Sequence, residues 1–223
     1  MKLRRFAFAA SLTTILCVAL AAAWVYRPAS LFAGTQELLP DLTVNAKVLQ
    51  ASISIDSQTF RSTDCAVVEG CATGTGRRRL LHFSVATPNT GTADMFLGDP
   101  EGNPLFQYSP CHGHYHFSGY ASYELLNESG KVVVVGRKQA FCLLDSLPVS
   151  RDAGPPKYDC HYQGISVNWM DVYDASLDCQ WLDITGVPAG MYQLRVTINP
   201  EGILDELSFE NNSATVPVRI PRG

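Results

Sequence analysis

Hydrophobic and polar residues alternate with a period of two along much of this chain. Leu42, Val44, Ala46 and Val48 fall on one side of residues 39–55, with mostly polar residues between them, which predicts a strand. Residues 80–85 read as another short strand. Residues 117–126 and 131–135 flank the turn-forming run Asn127-Glu128-Ser129-Gly130 and predict a hairpin. Residues 181–184, 190–198 and 213–220 predict further strands, with turn signals at Pro200-Glu201-Gly202 and Asn211-Asn212 between the last two. Residues 91–111, rich in Gly, Pro and Asp, and residues 146–156 read as loops. Outside the N-terminal segment there is no long helical period and no internal repeat. Many short strands with regular turn signals predict an all-β fold with a β-sandwich core and long loops. Loops on a rigid sandwich are where a site is expected.

The N-terminal segment has a different pattern. Met1-Lys2-Leu3-Arg4-Arg5 is basic, residues 6–26 carry no charge, and Arg27 ends the run. A basic start followed by an apolar stretch is the pattern of an export signal. The stretch also has the ~20 apolar residues needed to span a bilayer. Residues 1–34 are therefore expected to be a cleaved signal peptide or an uncleaved anchor helix, and residues 35–223 the functional domain. Small residues at Ala21, Ala22, Ala23, Ala29, Ala33 and Gly34 offer cleavage sites. Both readings put the domain outside the cytoplasm, secreted, periplasmic or at the cell surface. Contact with a membrane is expected only through this segment, if it stays attached.

Charge and cysteine content narrow the picture. The 223 residues carry a formal net charge of −4, with 46% hydrophobic residues, which argues against a disordered chain and against a dedicated nucleic-acid binder. Without Lys2, Arg4, Arg5 and Arg27 the remainder has 13 basic and 21 acidic residues. Such a surface attracts cations, amines and basic peptides among them. Cys17 lies in the N-terminal segment. The other six cysteines, Cys65, Cys71, Cys111, Cys142, Cys160 and Cys179, form no Cys-x-x-Cys pair. In an exported chain they predict three disulfides, and spacing alone leaves the pairing open.

The most informative run is Cys111-His112-Gly113-His114-Tyr115-His116, which holds three of the five histidines. Alternation puts His112, His114 and His116 on one face of an extended segment, but the outer two would then be about 13 Å apart. To share an ion the segment must bend or use different ring nitrogens, and Gly113 makes a bend easy. Three neutral imidazoles suit copper or zinc. Cys111 is either a fourth ligand or half of a disulfide.

Further segments extend the pattern: Gly136-Arg137-Lys138-Gln139-Ala140-Phe141-Cys142-Leu143-Leu144-Asp145, Gln163-Gly164-Ile165-Ser166, Trp169-Met170-Asp171-Val172-Tyr173, Cys179-Gln180-Trp181-Leu182-Asp183-Ile184-Thr185, Gly190-Met191-Tyr192-Gln193-Leu194 and Glu210-Asn211-Asn212. In order and spacing, from about residue 91 to residue 216, the chain resembles the catalytic domain of lysyl oxidases in a short, bacterial-like form. The resemblance implies that His112, His114 and His116 bind copper. It also implies that Lys138 and Tyr173 become the lysine tyrosylquinone (LTQ) cofactor. It pairs Cys65 with Cys111, Cys71 with Cys179, and Cys142 with Cys160. It departs at Trp169-Met170, where vertebrate members carry a cysteine and an aromatic residue, and at Arg137, where many members have a histidine.

The activity implied is that of a copper amine oxidase. A primary amine, peptidyl lysine or a small amine, is converted to an aldehyde with O2, and ammonia and hydrogen peroxide are released. The reaction needs a base at the carbon next to nitrogen. Asp171, two residues from Tyr173, is the first candidate; Asp145 is the second, and His161 is a further residue that could approach the ring. Two other readings of the histidines remain at this point. One is a non-catalytic metal-binding β-sandwich; the other is a zinc hydrolase with an open fourth position.

Overall fold

The computed structural model describes residues 37–117, 119–136 and 141–222. The N-terminal signal or anchor expected over residues 1–34 and the Arg137–Lys138 pair lie outside the described residues. Among the described residues no helix is long and apolar enough to cross a membrane.

Among the described residues there are two short helices and fourteen strands. The helices are α1 (Ala46–Ala51) and α2 (Cys65–Val68). The first strands are β1 (Ser54–Phe60), β2 (Gly76–His82), β3 (Val85–Pro88), β4 (Met95–Gly98) and β5 (Phe106–Ser109). They are followed by β6 (His114–Phe117), β7 (Ala121–Leu126), β8 (Val132–Val135), β9 (Leu147–Pro148) and β10 (Gln163–Ile165). The last are β11 (Trp169–Tyr173), β12 (Trp181–Asp183), β13 (Gly190–Ile198) and β14 (Ser213–Ile220).

The largest sheet has the order β14-β13-β7-β8. Its strands alternate cleanly: in β14 Ala214, Val216, Val218 and Ile220 are buried and the residues between them are exposed. Pro217 is tolerated in β14 because that strand is an edge. Across the sheet Leu194 is paired with Val216 on one side and Leu125 on the other. These side chains share one buried core with Leu81 of β2 and Leu182 of β12, which belong to the three-stranded sheet β1-β2-β12. The fold is thus all-β, with a sandwich core between these sheets. The sheet β3-β11-β9 and the two-stranded sheets β4-β10 and β5-β6 complete the fold, and strands β6 and β11 carry site residues.

Three disulfides staple the long connections: Cys65–Cys111, Cys71–Cys179 and Cys142–Cys160. They are the pairs implied by the resemblance. Around Cys71–Cys179 a second, smaller cluster forms from Phe60, Ala66, Leu80 and Trp181.

Several local expectations change. Residues 39–55 are not one strand. Asn45 ends the extended part and caps α1, its side-chain oxygen accepting from the backbone N–H of Lys47 and Val48. Leu42 keeps a strand-like bridge, to Asn89, and Ser54 and Ile55 already belong to β1. Residues 80–85 split into β2 and β3, and the supposed loop over residues 91–111 contains β4 and β5. The hairpin forms as expected from β7 and β8, while Phe117 belongs to β6. The three C-terminal strands lie where the alternation predicts them.

Candidate active site

The histidine run is folded back on itself. β5 pairs antiparallel with β6, placing Ser109 opposite His114 and Gln107 opposite His116. The connection is a tight turn in which the N–H groups of His112 and Gly113 donate to Ser109 O, at 3.3 and 2.8 Å. Gly113 has φ of +71°, a backbone conformation that L side chains avoid. His112 therefore stands in the turn, while His114 and His116 share one face of β6. The outer rings, His112 and His116, are 5.2 Å apart, centre to centre. His112 and His114 are 5.9 Å apart, and His114 and His116 are 4.7 Å apart. Imidazole nitrogens sit about 2.0–2.1 Å from a bound ion, so the centres of three rings around one ion are roughly 4.5–6 Å from each other. The three rings are thus gathered in one cluster, and their donor type suits copper or zinc. Cys111 is bonded to Cys65 and is not a fourth ligand. Burial, followed by the neighbouring charge of His112, lowers the pKa of His114, which favours the neutral, ligating form.

Tyr173 reaches the same cavity from the other side. Along β11 Trp169, Asp171 and Tyr173 point inward and the residues between them are half-buried. The Tyr173 hydroxyl donates to Cys142 O at 2.9 Å. Its ring packs 4.6 Å from Phe141, which lies 6.1 Å from His116, and meets Tyr120 edge-on at 5.8 Å. Burial, reinforced by the Asp171 carboxylate, pushes the Tyr173 phenol well above the usual tyrosine range. Asp171 is itself buried, and desolvation lifts its pKa to about 7, against the opposing pull of Tyr173 and Ser146. Ser146 Oγ donates to Asp171 Oδ1 at 3.0 Å and accepts from Val172 N–H at 3.0 Å. His112, His114, His116, Phe141, Asp171 and Tyr173 line one cavity of about 310 Å³. That volume suits a small molecule or a single extended side chain.

The remaining candidates separate clearly. Lys138 lies outside the described residues. Its described flanks are Gly136, whose N–H donates to Tyr123 O, and Phe141, whose carbonyl accepts from Phe117 N–H. Asp145 holds a loop: it accepts from the N–H and Oγ of Ser166 and from Lys157 N–H. It is not among the cavity's lining residues. The His161 side chain is 96% exposed, beside Asp159, and is not in contact with the Tyr173 ring. A residue absent from the sequence expectations is Glu69, which contacts His112. Its position between Cys65 and Cys71 becomes informative once Cys65 is joined to Cys111, next to His112.

Comparison with known proteins identifies the family. The lysyl oxidase family model matches residues 40–221. Human lysyl oxidase homolog 1 is 38% identical over 202 residues, covering 84% of this chain and 34% of the human protein. Bovine lysyl oxidase homolog 2 is 36% identical over 188 residues, covering 79% of this chain and 24% of that protein. The chain thus spans about a third or less of the length of these relatives. Among solved structures, a CARDB domain from Pyrococcus furiosus matches at 13% identity with a TM-score of 0.30, over 81% of this chain and 88% of that one, a likeness too slight to argue from. On the extent of the family match and the identity to these relatives, this chain belongs to the lysyl oxidase family.

Proposed function

We propose that this protein is a copper-dependent amine oxidase. It converts primary amines, peptidyl lysine or small amines, to aldehydes with O2 and water, releasing ammonia and hydrogen peroxide. His112, His114 and His116 would hold the copper, and Lys138 and Tyr173 would supply the lysine tyrosylquinone. When bound, copper would supply, with O2, the oxidation of the Tyr173 ring, and the cofactor would supply a two-electron acceptor for the amine.

The observation that carries this reading is the meeting of Tyr173, Asp171 and three closely spaced imidazoles in one cavity. The residues around it have defined tasks. Phe141 and Tyr120 bound the Tyr173 ring and keep water from its faces. The cavity admits an extended amine side chain and leaves little room for a bulky one. Asp171 takes the proton from the carbon next to the substrate nitrogen. With a pKa of about 7, it is ionised in a useful fraction at neutral pH and still basic enough to act. Asp145, engaged by four backbone and hydroxyl donors, is the poorer base. The acidic balance of residues 35–223 favours cationic substrates. Residues 1–34 would direct the domain out of the cytoplasm.

Peroxide release tests the proposal. Protein expressed with copper should produce hydrogen peroxide from simple primary amines and from lysine peptides. Tyr173→Phe should fold and be inactive. No peroxide from copper-loaded wild type, or full turnover by Tyr173→Phe, would refute the proposal. Copper-independent hydrolysis with bound zinc would favour the hydrolase alternative instead.

A further inference from the structure

The histidine turn is braced from outside the cavity. Glu69 follows α2 and lies between two half-cystines, Cys65 and Cys71. Cys65 is tied to Cys111, immediately before His112, and Cys71 to Cys179. These two staples hold the Glu69 loop against the turn. Only 8% of the Glu69 side chain is exposed. Both of its oxygens have partners in the turn. Oε1 accepts from Ser109 Oγ at 2.5 Å, and Oε2 lies 3.1 Å from Nε2 of His112. Ser109 also closes the turn itself, through its carbonyl. Cys71 and Cys179 lie near Glu69, but their sulfurs are bonded to each other, so this group is not a second metal site.

We infer that Glu69 is a positioning residue that selects which nitrogen of His112 faces the metal. A carboxylate only accepts hydrogen bonds, so the Nε2 beside it carries the ring proton. The remaining lone pair of His112 is then on Nδ1. Glu69 fixes the ring's tautomer and orientation, and its charge makes Nδ1 a stronger donor. Partners of this kind, acting through a ligand, are typically worth about 10–100-fold in metal affinity. The two disulfides thereby acquire a role in the metal site, because they hold the carboxylate in register with the turn. The inference rests on the reading that His112, His114 and His116 share a copper ion.

Two measurements on the full chain test it. The first is ¹⁵N-histidine NMR of the metal-free wild-type protein, in which His112 should be the Nε2–H tautomer; an Nδ1–H tautomer would overturn the inference without any variant. The second is copper titration against a competing chelator, with electron paramagnetic resonance spectra of the bound ion. Glu69→Ala should bind copper about 10–100-fold more weakly. Its spectrum should differ from that of wild type, while the far-ultraviolet circular dichroism of the metal-free protein stays the same. Glu69→Gln, whose amide oxygen still accepts from Nε2–H, should recover much of the affinity. Wild-type affinity and spectrum in Glu69→Ala, or no recovery in Glu69→Gln, would overturn this inference alone. A wild-type protein that takes up no copper would overturn it together with the metal reading. If Glu69→Ala does not fold, the tautomer measurement and Glu69→Gln still decide.

Discussion

The ring of Phe141 lies 4.6 Å from that of Tyr173, centre to centre and tilted by 35°. Phe141 is only three residues past Lys138, and its backbone carbonyl accepts a hydrogen bond from Phe117 N–H at the end of β6. One aromatic contact thus joins the end of the lysine-bearing segment, the histidine strand and the tyrosine. Phe141 packs against both hydrophobic clusters. Phe141→Ala should cost about 2–3 kcal/mol, somewhat below the range for a fully buried phenylalanine. It should also lower the fraction of protein that matures to an active form. Denaturant unfolding of metal-free protein and titration of active sites with a carbonyl reagent check the two effects separately.

Asp171 predicts a pH dependence with a definite sign. Its pKa is raised from the ordinary 3.8 to about 7 in the folded state by burial. The folded protein therefore holds this proton at pH values where the unfolded chain has released it. The cost of burying the charge is absent below about pH 4, grows as pH rises toward 7, and is complete above it. Asp171→Asn removes that cost. The metal-free variant should be more stable than wild type at pH 8 by a few kcal/mol, since each tenfold change in proton affinity is worth about 1.4 kcal/mol. The advantage should shrink toward pH 4. A stability difference that does not vary with pH would contradict the assignment.

The same residue sets the rate profile. If Asp171 is the base, kcat/KM should rise with pH through an apparent pKa near 7. Asp171→Asn should lose about 10²–10⁴-fold in activity and retain copper. Unchanged turnover in that variant would move the base to another residue.

Gly113 should be sensitive for a backbone reason alone. Nothing lies within 4 Å of a Cβ placed there, yet φ is +71°. Gly113→Ala should cost about 1 kcal/mol of stability, from the left-handed conformation and not from a clash. It should also weaken copper binding by loosening the turn that brings His112 beside His116. Thermal unfolding and chelator competition measure the two effects.

The Cys65–Cys111 bridge should matter to both stability and metal. Replacing both cysteines with serine should cost about 2–4 kcal/mol. Copper affinity should fall even at temperatures where the variant is fully folded, because Glu69 and His112 lose their common anchor. Copper affinity equal to wild type in the folded variant would contradict that link.

Much of this arrangement is legible in the sequence, for physical reasons that differ by segment. The strands Gly190–Ile198 and Ser213–Ile220 are long and have one face on the core, so their period of two is unmistakable. The histidines are conspicuous because three rare residues fall within five positions, and the need for a bend there follows from strand geometry. The helix Ala46–Ala51 is misread because Ala46 and Val48 continue the alternation of Leu42 and Val44, and six residues are too few for a helical period to show. Strands β4 and β5 are hidden because their partners lie elsewhere: β4 pairs with Gln163–Ile165, more than sixty residues on, and β5 with the histidine strand. Glu69 is silent in one dimension. Its meaning depends on a disulfide that closes 46 residues of chain, and nothing in its immediate neighbours announces a ring 3.1 Å away. Asp145 and Asp171 look alike in the sequence; both are buried, and what separates them is that Asp171 lines the cavity while Asp145 holds a loop.

The central claim is a covalent one, and mass spectrometry of proteolytic fragments tests it most directly. Protein expressed with copper and O2 should give a single fragment in which the Lys138 and Tyr173 peptides are joined, and the joined fragment should be absent from Tyr173→Phe and from metal-free preparations. Recovery of both peptides separate and unmodified from fully copper-loaded protein would contradict the account.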